Sequence, residues 1–158
     1  MRLARDRYRL AIMTKERLAS CACGSLRVAC SGDPVKVSLC HCLACQKRTG
    51  STFGIAAFFE REQVRIDGVA KSYERPSDSG FSVLFRFCPE CGSTVFWEPR
   101  RKAEYIAIGV GSFADPDFPA PDQAVYHEHR HGWVAAVPGS RSPQVGSGAK
   151  PSDARSGS

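Results

Sequence analysis

Between residues 26 and 108 the chain reads as a succession of short strands. Leu26, Val28 and Cys30 alternate with Arg27 and Ala29, and Val35, Val37 and Leu39 alternate with Lys36 and Ser38. That period of two turns one side of a strand toward a core. Phe53 to Phe59 is a continuous apolar run, which suits a strand covered on both faces. Val64 and Ile66 precede an Asp67-Gly68 turn signal, and Phe81, Val83, Phe85 and Phe87 follow the turn Ser77-Asp78-Ser79-Gly80. Val95 to Trp97 and Tyr105 to Ile108 flank the charged stretch Pro99 to Glu104 and predict a further hairpin. Only Leu43 to Arg48 asks for a helix, of about two turns, closed by Gly50.

The two ends read differently. Residues 1–17 mix charged and isolated apolar positions and predict an N-terminal extension, a short charged helix at most. Met13 is an alternative start to Met1, and nothing before Leu18 is expected to matter to the fold. Asp115 to Asp122 carries three prolines and predicts a loop. Residues 139–158 are Ser, Gly, Pro and Arg with almost nothing apolar, a composition that predicts a disordered tail. The expectation is therefore one all-β domain of small antiparallel sheets with one short helix, over residues 18–138.

Composition narrows the class without naming a function. Of 158 residues, 42% are hydrophobic and 24% charged, ordinary for a globular domain. The 22 basic and 16 acidic residues leave a formal +6. That excess is scattered, so it reads mainly as solvated surface and nucleic-acid binding is not expected. Met1 to Ser20 lacks the apolar stretch of a signal peptide, and no run of 18 apolar residues occurs. The expected location is cytoplasmic, with no membrane partner. Eight cysteines in such a chain are expected to be thiols or metal ligands rather than disulfides.

Seven of those cysteines fall into three groups: Cys21 with Cys23, Cys40 with Cys42 and Cys45, and Cys88 with Cys91. Zinc collects thiolates at about 2.3 Å in a tetrahedron, so close pairs on bending backbone are its signature. Cys88-Pro89-Glu90-Cys91-Gly92 is a strong knuckle, and Cys21 and Cys23 share one side of an extended segment. Two pairs close a four-sulfur site. Cys40, Cys42 and Cys45 supply three thiolates and leave a fourth position open, the pattern of catalytic zinc. Spacing leaves other partitions standing. The knuckle could pair with Cys42 and Cys45, or all seven could be structural with His41 or Cys30 as an eighth ligand. Cys30 continues the apolar side of Leu26 and Val28 and is expected in the core.

The string Cys21-Ala22-Cys23-Gly24, Cys40-His41-Cys42-Leu43-Ala44-Cys45-Gln46-Lys47-Arg48-Thr49-Gly50 and Phe87-Cys88-Pro89-Glu90-Cys91-Gly92-Ser93 resembles the glutathione-dependent formaldehyde-activating enzyme family, which also includes centromere protein V. The similarity runs from about Ala19 to Trp133. It implies a β-tent fold and two zinc ions per chain: a structural one on Cys21, Cys23, Cys88 and Cys91, and a catalytic one on Cys40, Cys42 and Cys45. It further implies a carbon–sulfur lyase that joins glutathione and formaldehyde to S-hydroxymethylglutathione, or splits that adduct or a related one.

Within that frame Lys47 and Arg48 are candidates for holding the glutathione carboxylates, against a plain solvated helix end. His127, His129 and His131 would share one face if Val125 to Trp133 were a strand, a candidate third metal site against exposed strand polarity. His41 lies between two ligands and reads as a proton relay or as a structural residue. A zinc-stabilised binding module without catalysis stands as the alternative function, with nucleic acid its conceivable partner. Methionine sulfoxide reductase fits poorly, because the triple cluster and the Cys-x-Cys pair do not match its two Cys-x-x-Cys knuckles. A homodimer is one candidate assembly.

Overall fold

The computed structural model describes residues 15–138 and Ser140. Within them the chain builds two sheets. The smaller has the order β1–β2–β5, from β1 (Glu16–Ser20), β2 (Arg27–Ser31) and β5 (Val64–Asp67). The larger has seven strands in the order β10–β3–β4–β9–β8–β7–β6. These are β3 (Lys36–Cys40), β4 (Gly54–Glu60), β6 (Lys71–Pro76), β7 (Ser82–Phe87), β8 (Thr94–Pro99), β9 (Tyr105–Gly109) and β10 (Gln123–Val125). All pairs are antiparallel except β10 on β3. One α-helix, α1 (Leu43–Thr49), connects β3 to β4. The all-β reading holds.

The alternation seen along the chain sorts the large sheet into two faces. Val37, Ala57, Ile108 and Phe96 face the small sheet and join Val28, Cys30 and Leu26 in the main core. Cys30 is fully buried there, and burial pushes its thiol up to about 12. The opposite face carries a row running directly across five strands. Tyr73, Phe85, Trp97, Ala107 and Phe58 are successive register partners. Phe85 and Trp97 pack at a tilt of 45° with their ring centroids 5.8 Å apart. Helix α1 lies over that row.

Three strands depart from expectation. The first begins at Glu16, inside the stretch assigned to the extension. Arg17 is buried at 6% exposure, bonds Asp33 at 2.8 Å and stacks on Phe118 at 4.8 Å. An inward-facing arginine breaks the apolar alternation, which hid the strand. The second is β6, whose polar sequence Lys-Ser-Tyr-Glu-Arg-Pro suits a sheet edge, where charge discourages further pairing. The third is β10, and it ends at Val125. Tyr126 then turns left-handed (φ 60) and His127–His129 form a 3-10 turn. The condition on which His127, His129 and His131 would share one face, a strand from Val125 to Trp133, is therefore not met. Residues 1–14 and most of the expected tail lie outside the described residues.

At one glycine the backbone approach is decisive. Gly68, after β5, has φ 95, and a Cβ there would sit 2.0 Å from the Ser25 carbonyl oxygen. Among the described residues no helix is long and apolar enough to cross a membrane.

Candidate metal centres and the cleft beside them

The two cysteine clusters are built by different means. Cys21 and Cys23 lie in the turn from β1 to β2, and Cys88 and Cys91 in the turn from β7 to β8. Each turn belongs to a different sheet. Their four sulfurs all lie within 4.8 Å of one another. Cys21 and Cys23 are 3.5 Å apart, and Cys23 and Cys88 3.6 Å. A tetrahedron with metal–sulfur bonds of about 2.3 Å has edges of about 3.8 Å, so the arrangement fits zinc. The Leu26 N–H donates to the Cys21 sulfur at 3.2 Å, and the Ala22 N–H to Ser93 Oγ at 3.2 Å, tying the two turns together.

Charge in this cluster is prepared by donors. Cys91 is drawn down to about 5 by the Ser93 hydroxyl and the Ser93 N–H. For Cys21 burial pushes upward, but the Leu26 N–H and its neighbours Cys23, Ser25 and Cys88 bring it to about 7. Cys21 and Cys88 are buried, whereas Cys23 and Cys91 are exposed.

The second cluster sits on one strand–helix corner. Cys40 ends β3 opposite Gly54 of β4, Cys42 caps α1, and Cys45 lies in its first turn. The Cys45 N–H donates to the Cys42 sulfur at 3.3 Å. Gly50, left-handed, closes the helix by donating to the Gln46 carbonyl at 2.9 Å. The three sulfurs also lie within 4.8 Å of one another, and all three residues are half-buried. The thiols of Cys40 and Cys45 hydrogen-bond the Cys42 thiolate and hold it down to about 2, while the same contacts push Cys40 upward. Three thiolates at this range ionise together only around a cation. Both clusters can therefore hold metal ions, the second with a side left open by the protein.

Arg48 is the cation nearest in argument to this cluster, and its setting is unlike a solvated helix end. Its guanidinium carbon lies 4.4 Å from the Trp97 ring centroid and 5.2 Å from that of Phe85. The side chain also lies beside Cys45, whose charge acts on it. One Nη would lie 3.1 Å from a Cβ on Gly54, which explains the glycine. Burial lowers the Arg48 pKa and the Cys45 charge opposes that shift. Three thiolates around a divalent cation keep one net negative charge, and Arg48 offsets it. Lys47, its neighbour, is exposed.

A cleft of about 690 Å³ lies beside α1, lined by Lys47, Arg48, Tyr73, Arg75, Phe85 and Phe87 among others. A second, of about 520 Å³, lies on the other side of Arg48 and reaches Cys91. Arg48, Gly92 and Thr94 line both. Tyr126 donates to Asp78 at 3.3 Å, and burial, then the Asp78 charge, raise its phenol to about 12. The charges of Cys42 and Cys40 add to that rise, so the hydroxyl stays protonated close to the cluster.

The histidines do not form a third site. His127 contacts the Ala124 carbonyl at 3.0 Å, His131 meets Gln46 Oε1 at 3.0 Å, and His129 stacks on Tyr126 at 6.3 Å. The turn at Tyr126 sends them apart. His41 is buried, between Phe53 and His127, and burial lowers its pKa. Its carbonyl accepts from Gln46 Nε2 at 2.8 Å, which fixes the helix to the corner. Arg75, Tyr126 and the Phe85–Trp97 pair were not picked out by sequence reasoning. Alternation marked Phe85 as inward-facing, but nothing local placed β6 or the left-handed turn beside the cysteines.

Comparison with known proteins agrees with this geometry. In an alignment of 78 positions that covers 44% of this chain and 40% of the relative's length, the chain is 33% identical to a Colletotrichum graminicola protein provisionally named glutathione-dependent formaldehyde-activating enzyme. A crystal structure of a Rhodobacter sphaeroides protein aligns over 60% of this chain and 85% of its own, with a TM-score of 0.48 and 20% identity. That likeness is too loose to carry weight. The signature of the family described as glutathione-dependent formaldehyde-activating enzyme matches residues 16–129, from the first strand to the turn after β10. The chain belongs to that family.

Proposed function

We propose that the protein is a zinc-dependent carbon–sulfur lyase acting on glutathione–aldehyde adducts, with S-hydroxymethylglutathione as the reference substrate. In the breaking direction the hydroxyl proton leaves and the C–O bond becomes a carbonyl. The C–S pair passes to sulfur, and formaldehyde and the glutathione thiolate separate. In the joining direction the thiolate attacks formaldehyde and the oxygen takes a proton.

The observation that carries this reading is the open three-thiolate corner beside a cleft that holds cations. Cys40, Cys42 and Cys45 would hold the catalytic zinc, and Cys21, Cys23, Cys88 and Cys91 the structural one. When bound, the catalytic zinc supplies Lewis acidity and keeps a sulfur anionic near neutral pH. Arg48 balances the charge that three thiolates bring, and so keeps the metal the stronger acid. Tyr126 stays protonated and gives its one hydroxyl hydrogen to Asp78, which holds the ring beside the corner.

The test follows adduct formation and breakdown near neutral pH, with the spontaneous rate subtracted. Zinc-loaded wild type is expected to accelerate both directions, and Cys42→Ser to lose that acceleration while keeping the metal of the closed cluster. Zinc-loaded protein that accelerates neither direction would overturn the reading.

A further inference from the structure

We propose that Arg75, with Lys47 lining the same cleft, is the carboxylate-recognition pair of this site, and that Arg48 takes no part in that recognition. The pair selects thiols that carry a carboxylate several bonds away from sulfur. The inference rests on the function proposed above and names the residues that choose its substrate.

The register carries the first step. Arg75 pairs with Val83, and Tyr73, two residues back, pairs with Phe85. Arg75 and Tyr73 therefore share the side of the sheet that bears Phe85. The Arg75 guanidinium carbon is 5.4 Å from the Phe85 ring centroid, on a ring that Arg48 also approaches. From the edge strand β6 it lines the cleft beside α1 together with Lys47, Arg48 and Phe85.

Charge accounting carries the second. Arg17, Arg61, Arg65, Arg86 and Arg100 each have a carboxylate within 4.0 Å. Among the described residues that line the cleft, Arg75, Lys47 and Arg48 have none. Glu74, next in sequence, faces away and is taken by Ser82 and Arg100. Arg75 uses Nη1 on the Pro76 carbonyl at 2.9 Å, which steadies the side chain and leaves its other N–H groups free to donate. Arg48 is held over two rings beside Cys45, although its buried Nε has no hydrogen-bond partner. Two guanidiniums beside one aromatic ring repel each other, and an anion docked on Arg75 relieves that repulsion.

The floor completes the match. Tyr73, Phe85 and Phe87 give the cleft an apolar base that the aliphatic part of a peptide can cover. Arginine's planar fork suits a carboxylate held by two parallel hydrogen bonds, whereas lysine at 47 offers a mobile point charge.

The test uses binding, so that chemistry does not confuse it. Zinc-loaded wild type, Arg75→Gln, Arg75→Lys and Lys47→Gln are titrated calorimetrically with S-methylglutathione, which cannot form the adduct, and with its diethyl ester. Wild type is expected to prefer the acid over the ester by about tenfold or more. In Arg75→Gln that preference collapses, with zinc content and melting temperature unchanged, and Arg75→Lys restores part of it. Lys47→Gln is expected to lower the preference by a smaller factor. An undiminished preference in Arg75→Gln overturns the proposal and leaves the lyase reading standing. Wild type that binds neither compound overturns the glutathione reading and this proposal with it.

Discussion

The two cysteine clusters use the same ligand atom for opposite ends. The closed one joins two turns from two different sheets, so whatever sits between its four sulfurs ties the sheets together. The open one is contained within six residues of one corner and joins nothing distant. A metal in the first is part of the fold's stability, because its ligands are far apart in sequence and scatter on unfolding. A metal in the second can leave with little structural loss. The difference teaches that cysteine count says less than where the backbone between ligands goes.

The largest expected effect falls on the closed cluster. Cys88→Ser changes a fully buried member of the closed cluster in the turn that meets the other sheet, and is expected to cost about 3–5 kcal/mol, read as a melting temperature lower by about 10 °C or more. Cys42→Ser is expected to leave the melting temperature within a few tenths of a kcal/mol of wild type, about 1 °C, while activity falls by about a hundredfold. Equal thermal losses in the two variants would break the comparison. Gly68→Ala comes next, because its Cβ would collide with backbone just beyond the closed turn. A loss of about 2–4 kcal/mol in denaturant unfolding is expected, with the zinc count unchanged.

Arg48→Gln sharpens the comparison from the open side. It removes the balancing charge and the packing on Trp97, so a kcat about tenfold lower is expected with the closed cluster's metal retained. The charge-transfer bands of a cobalt-substituted open site should shift in energy as well. The smallest effect is a control remote from both clusters. Burial opposes the ionisation of Glu98, but Arg61 and Arg86 hold its carboxyl below the ordinary carboxylate range. Because the folded value lies below the unfolded one, the gain exists above the unfolded value and fades as pH falls through the folded one. Glu98→Gln is therefore expected to cost about 1 kcal/mol near pH 7 and almost nothing in strong acid, measured by urea unfolding at each pH.

The strands with inward apolar positions were legible because each carried its own period. Phe85 and Phe87 marked β7, and Leu26 to Cys30 marked β2. The three cysteine groups were legible because each is local, whereas spacing alone did not say that Cys21 and Cys23 meet Cys88 and Cys91. What escaped depended on long-range partners. Arg17 reads as surface charge until Asp33 and Phe118 close around it. The alternation in Lys71 to Pro76 carries polar groups, so only pairing with β7 reveals a strand. The three histidines suggested one face because a regular strand was assumed through Tyr126. The left-handed turn there has no local signal in a tyrosine, and it is held by what surrounds it.

Helix α1 buries none of its residues. It rests instead on the Arg48 cation over two rings, the Gln46 amide on the His41 and His129 carbonyls, and the Cys42 cap. Such a helix is portable in a way that a packed one is not, since its outer side is unconstrained and its seat is defined by a pair of neighbouring rings on a flat surface. Transplanting Cys40 to Gly50 onto another antiparallel sheet would therefore require a Trp–Phe register pair on the third and fourth strands over and a glycine opposite Cys40, and little else of the host's core would need to change.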